Sequence, residues 1–166
     1  MTEGKIKITA INKIKVNNDR TATINYVQQG ELSSSEVVFT GKEKVTDEFF
    51  KKFQENVEGF VACVPMLERD TKNIIMNAIK FDYGKENGPL KNILYSVKYS
   101  FNPANNAVLN LSTPMLPIFQ ESFDESTFCV NGKYEQLLYE TIELAKAYIN
   151  GDTATVQGKL NLVVEG

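Results

Sequence analysis

Histidine and tryptophan are absent from this chain of 166 residues, and arginine occurs only twice, at Arg20 and Arg69. Without histidine no Ser-His or Cys-His nucleophile pair can be assembled, and the commonest metal ligand is missing. Planar, bidentate recognition of phosphate or guanine is mainly arginine work, so one chain offers two such contacts at most. The other sixteen of its eighteen basic residues are lysines. Cysteine is scarce too: Cys63 and Cys129 are too few for a disulfide framework and are expected to be thiols that serve as small core residues. No G-x-G-x-x-G or G-x-x-x-x-G-K-[ST] loop occurs, and the stretch "GKENGP" has the wrong spacing for either. CxxC, HExxH and G-x-S-x-G are missing as well. No window reaches the roughly 18 apolar residues of a membrane helix, and "MTEGKIKITA" carries no apolar segment of a secretory signal. The expectation is a cytosolic protein with no membrane partner, no cofactor and no bound metal.

What is present is ordinary for a globular domain. Hydrophobic residues make up 42% and charged residues 23% of the chain, a balance that favours folding over disorder. The length suits a single domain spanning 1–166. A net charge of −3 argues against tight nonspecific DNA binding, yet leaves room for a local basic face.

Hydrophobic periodicity divides the chain. "KIKITAINKIKV" alternates with period two, placing Ile6, Ile8, Ala10, Ile14 and Val16 on one face and Lys5, Lys7, Thr9, Lys13 and Lys15 on the other. The turn "NNDR" leads to "TATINYV", and a third short strand "SEVVFTG" follows. The period then becomes helical: Phe49, Phe50, Phe53, Val57, Phe60, Val61 and Val64 form one stripe. Thr46 is the expected N-cap, and Pro65 should end the helix near Cys63. "NIIMNAIKFDYG" has apolar groups on both faces, as a central strand would, and "KNILYSVKYSF" and "AVLNLST" read as strands. A second helix, "KYEQLLYETIELAKAYIN", stops at Asn150-Gly151, and 152–166 is expected to form a C-terminal strand or an arm. The order β-β-β-α-β-β-β-α-β implies an α+β fold: a mainly antiparallel sheet of six or seven strands with two helices packed on one face.

Four sets of residues are candidates for chemistry. Thr113-Pro114 and Met115 end a strand beside the core, or form the rigid lip of a cleft. The stripe Lys5, Lys7, Lys13 and Lys15 is either a solvated face or a run of ammonium groups suited to a phosphate backbone, without the aromatic neighbours of a stacking platform. Tyr95 and Tyr99 lie on the most apolar strand face, which the helices should cover, while Tyr83 ends the partner strand. Arg69 and Lys72, in "LERDTKN", are the remaining anion-binding candidates. Glu121, Asp124 and Glu125 lack the spacing of a calcium loop and read as a solvated loop; a carboxylate-metal enzyme built on them is the weakest alternative.

Taken together, "KIKIT", "NNDRTATINY", "TDEFFKKFQENV", "LNLSTP" and the close "YETIELAKAYINGDTATVQGKLNLV" resemble a group of small uncharacterised bacteriophage early-region accessory proteins. The resemblance covers most of the chain at the level of pattern, and none of its motifs carries a catalytic meaning. It implies a phage-borne protein acting in the host cytosol by binding. The leading expectation is a non-catalytic, homo-oligomeric protein that antagonises host defence, by sequestering a nucleotide-like signal or blocking a host protein. Its ligand residues would be drawn from Arg69, Lys72, Tyr83, Thr113, Pro114 and Met115, with the tail from Thr155 to Val164 at the subunit interface. The alternative is an accessory factor of phage DNA metabolism that binds single strands through Lys5, Lys7, Lys13 and Lys15.

Overall fold

The structure, a computed structural model, describes residues 6–85, 88–102, 104, 107–120 and 128–155. Three strands open the chain, β1 (Ile8–Val16), β2 (Ala22–Gln29) and β3 (Ser34–Thr40). Two short helices follow, α1 (Asp47–Glu55) and α2 (Val57–Cys63), then a 3₁₀ segment over Pro65–Asn73. Next come β4 (Ile74–Asp82), β5 (Asn92–Asn102), β6 (Ala107–Ser112), the two-residue β7 (Leu116–Pro117) and the long helix α3 (Gly132–Ile149). Every pairing between these strands is antiparallel, in the order β3-β2-β1-β4-β5-β6, with β7 also on β5. The α+β class with a mainly antiparallel sheet is therefore as expected.

One cross-strand row shows how the core is built. Ile14 faces Ile24 on β2 and Ile79 on β4, and Ile79 faces Tyr95 on β5. All four are fully buried. Phe49, Phe53, Phe60, Leu138, Ile142 and Tyr148 from the helices join the same cluster. Tyr148 fixes the end of α3: its ring meets those of Phe39 and Phe49 edge-on, each at 5.9 Å, and its hydroxyl donates to the Glu43 carbonyl. Gly151, at φ +104, ends α3 at the expected place; the Asp152 N–H reaches back to the Ala147 carbonyl at 3.0 Å.

Three details differ from the sequence reading. The first helical stretch is broken rather than continuous. Thr46 caps α1 as expected, its Oγ1 accepting from the Phe49 N–H at 3.1 Å. Asn56, however, turns its amide to the Lys52 and Phe53 carbonyls and to Thr141 Oγ1 on α3, so α1 and α2 meet at a polar joint. Second, β4 is not buried on both sides. A register shift between Met76 and Ala78 puts Met76 and Ile79 both inward, while Ile75 is 53% exposed. A similar shift between Ile11 and Lys13 on β1 buries both Ile11 and Ile14. An inserted residue flips the phase of a strand, which mimics two-sided burial in the sequence.

Third, β6 ends at Ser112, before Thr113-Pro114 as expected, but β5 keeps a partner beyond that point. The Thr113 N–H donates to the Tyr95 carbonyl at 3.0 Å, and Thr113 Oγ1 accepts from the Tyr95 N–H at 3.1 Å. The hydroxyl thus replaces the acceptor that the ladder loses, and pairing resumes two residues after Pro114 with Leu116 against Ile93. The expected C-terminal strand or arm falls mainly on 156–166, outside the described residues, and Ala154 and Thr155 before it are helical.

Candidate functional site

All the described helices pack on one face of the sheet. On the other face, residues alternating with the buried rows point away from the core, and no described helix covers them. Lys13 and Lys80 are register partners across β1 and β4, directly beside the buried pair Ile14 and Ile79. Lys15, one row on, faces Ala78, which in turn faces Ser96 on β5. Lys98 lies a further row along β5, opposite Ile75. With the exposed Lys7 near the start of β1, these lysines form a band across the three central strands, β1, β4 and β5. Successive rows lie roughly 6.8 Å apart.

The surroundings of the band are mixed: Leu94 faces Lys80, Ile75 faces Lys98, and Asp82 follows Lys80 by two residues on β4. Thr23 and Asn25 flank it on β2, and Ser96 and Ser112 share a hydrogen bond of 2.9 Å on β5 and β6. None of Lys7, Lys13, Lys15, Lys80 and Lys98 has a carboxylate within 4.0 Å among the described residues; Lys98 Nζ instead approaches Asn18 Oδ1 at 3.4 Å. The ion pairs that do form among the described residues all engage helical acids, such as Lys52 with Glu140 at 2.9 Å. Among the described residues the ion-paired carboxylates thus lie on the helices, while the ammonium groups of the sheet band have no carboxylate within 4.0 Å.

At one end of this face β1 and β4 part. Their pairing covers only Lys13–Lys15 against Lys80–Ala78, whereas β4 and β5 remain paired as far as Asp82 and Asn92. The gap is a cleft of about 470 Å³, with Ala10 and Asn12 on the β1 side and Asp82, Tyr83 and Lys85 on the β4 side. Glu36 of β3 borders it as well. Tyr83 bridges the gap, its hydroxyl donating to the Ile11 carbonyl at 2.9 Å; burial pushes its pKa up to about 12, so it stays neutral. Asp82 is held below its ordinary range by hydrogen bonds from the Asn92 amide and the Gly84 N–H.

The residues expected to bind a ligand are not brought together. Tyr83 lines the cleft, but Arg69 and Lys72 precede the opposite end of β4, roughly 30 Å away along a nine-residue strand. Lys72 borders a helix-side groove that Glu55 and Glu58 also line, which disfavours an anion. Thr113 is consumed in the sheet ladder, with Pro114 and Met115 exposed beside it. Arg20, the other arginine, stacks over Phe50 at 4.1 Å and pairs with Asp47. Of the lysine stripe, Lys7, Lys13 and Lys15 belong to the band, while Lys5 lies outside the described residues, as do Glu121, Asp124 and Glu125. Tyr95 is a core residue.

Lys80 and Lys98 were missed by sequence reasoning. Lys98 alternates outward in "KNILYSVKYSF", a signal that was available; Lys80 required the β1–β4 register. No family model, no curated protein and no solved structure matches this chain.

Proposed function

We propose that the protein acts by binding rather than by turnover, and that its ligand is single-stranded nucleic acid laid across the open sheet face. The observation that carries this is the pairing of Lys13 with Lys80. Like charges directly opposite one another destabilise a sheet, and no carboxylate among the described residues lies within 4.0 Å of either ammonium group. Local rules are broken in this way chiefly where function demands it. A phosphodiester backbone relieves the repulsion, and the neighbouring hydroxyl and amide groups add phosphate contacts. A flexible single strand fits a broad face from which no described element projects to enter a duplex groove.

This ranks the nucleic-acid reading above sequestration of a signal or blockade of a host protein, because the residues that favoured the latter are dispersed. In the phage setting that the resemblance implies, the protein is an accessory factor of DNA metabolism. The test is binding of a fluorescent oligo-dT across a salt series. Four phosphate contacts give a slope of log K against log salt of about −3 for single strands. A slope near zero, or no binding at low salt, rules the reading out.

A further inference from the structure

We infer that the cleft between the parted ends of β1 and β4 receives a nucleobase of the bound strand, with a preference for bases that bear an exocyclic amino group. The inference rests on the nucleic-acid reading of the face. The cleft's volume of about 470 Å³ lies within the range of small-molecule sites, roughly 300–1,000 Å³. The Lys13–Lys80 pair, the last point at which β1 and β4 are in register, adjoins the cleft-lining Asn12 and Phe81, so a phosphate held by that pair sets the attached base beside the cleft. Beyond this point the two strands have no further register partners among the described residues, and the Ile11 carbonyl of β1 is engaged by the Tyr83 hydroxyl.

Of the two lining acids, the specificity comes from Glu36. Asp82 already accepts from the Gly84 N–H at 3.1 Å and from Asn92 Nδ2 at 2.8 Å, which also anchors the cleft wall. Glu36 is exposed and makes no ion pair among the described residues, so it is the lining carboxylate with acceptor capacity to spare. Carboxylates accept from the cytosine amino group. Thymine has no such group, and its carbonyl oxygens would face Glu36 unfavourably.

The experiment compares labelled oligo-dC and oligo-dT of equal length on the full chain and on two variants, Glu36→Met and Ala10→Trp. Glu36→Met removes the acceptor, and Ala10→Trp fills the cleft. The expected result is oligo-dC binding roughly tenfold tighter than oligo-dT, about the size of one hydrogen bond to a carboxylate. In both variants that gap closes, while oligo-dT affinity and its salt slope persist. Equal binding of the two by the unaltered protein, or a gap that survives both substitutions, overturns the cleft inference and leaves the face reading standing. Absence of binding to either oligonucleotide at low salt overturns both.

Discussion

Lys13 and Lys80 oppose each other directly across β1 and β4, in the middle of a six-strand path and next to a fully buried isoleucine pair. Like charges so placed destabilise a sheet, and on the proposed function a bound anion offsets that cost. Lys13→Glu therefore converts a like-charge pair into a cross-strand ion pair. Its expected effect is a gain of roughly 0.5–1 kcal/mol in unfolding free energy together with at least a tenfold loss of oligonucleotide affinity at low salt. Urea melts and fluorescence anisotropy on one preparation check both. A variant that is less stable, or that still binds normally, removes the support for a functional role of the pair.

Thr113 makes the second prediction. Its hydroxyl is the acceptor for the buried Tyr95 N–H where Pro114 interrupts the ladder. Thr113→Val keeps the shape and deletes the acceptor, leaving a buried amide unpaired at a cost of about 1–3 kcal/mol. Thr113→Ser should retain most of the stability. Hydrogen exchange at the Tyr95 amide distinguishes the two: faster in the valine variant, near normal in the serine variant. Equal stability of the valine and parent proteins would refute the assignment.

How much of this was visible beforehand depends on the range of the interaction that encodes it. Alternation in β2 and the outer half of β5 is a local property, so those strands and their inward faces could be read directly. The capping hydroxyl of Thr46 and the Gly151 stop are equally local. The break at Asn56 was not, because an asparagine inside a helical stripe becomes a joint only when Thr141, 85 residues later, supplies a partner. The shift at Asn77 disguised one-sided β4 as a two-sided strand, and the shift at Asn12 buries Ile11, which plain alternation on β1 leaves off the inner face. The lysine face was half legible for the same reason. Lys7, Lys13 and Lys15 share a strand, but Lys80 joins them through a pairing between segments some 65 residues apart, which no local pattern specifies.

Gly59 and Tyr95 make a further test of the packing between helix and sheet. A Cβ at Gly59 would stand 2.5 Å from the Tyr95 hydroxyl oxygen and 3.0 Å from Cζ. That hydroxyl is buried without a hydrogen-bond partner among the described residues. Gly59→Ala should therefore destabilise by about 1–3 kcal/mol through overpacking, even though alanine is the better helix former. Tyr95→Phe removes an unsatisfied polar atom and is expected to be neutral or stabilising by about 1 kcal/mol. The double variant should recover much of the alanine loss, since the nearest atom has gone. Additive effects in this cycle, measured by thermal or chemical denaturation, would show that the two residues do not collide.

Tyr83 links the cleft to alkaline stability. Burial raises its pKa to about 12, against the ordinary value of 10.0 that it regains on unfolding. The neutral hydroxyl is the form the fold accommodates, so its contribution is complete below pH 10.0 and is lost as pH rises from there through about 12. Tyr83→Phe deletes both the titration and the bridge to the Ile11 carbonyl. At neutral pH it should cost about 1 kcal/mol for the lost hydrogen bond, and between pH 10 and 12 its stability should fall less steeply than that of the parent. Tyr95 and Tyr148, whose pKa values burial also raises, titrate in both proteins and so cancel in the comparison. Urea unfolding at stepped pH, with tyrosinate absorbance recorded alongside, measures the difference. Parallel stability curves for the two proteins across that window would mean that the Tyr83 hydroxyl is no more protected than in the unfolded chain, and that the strands flanking the cleft are not held by it.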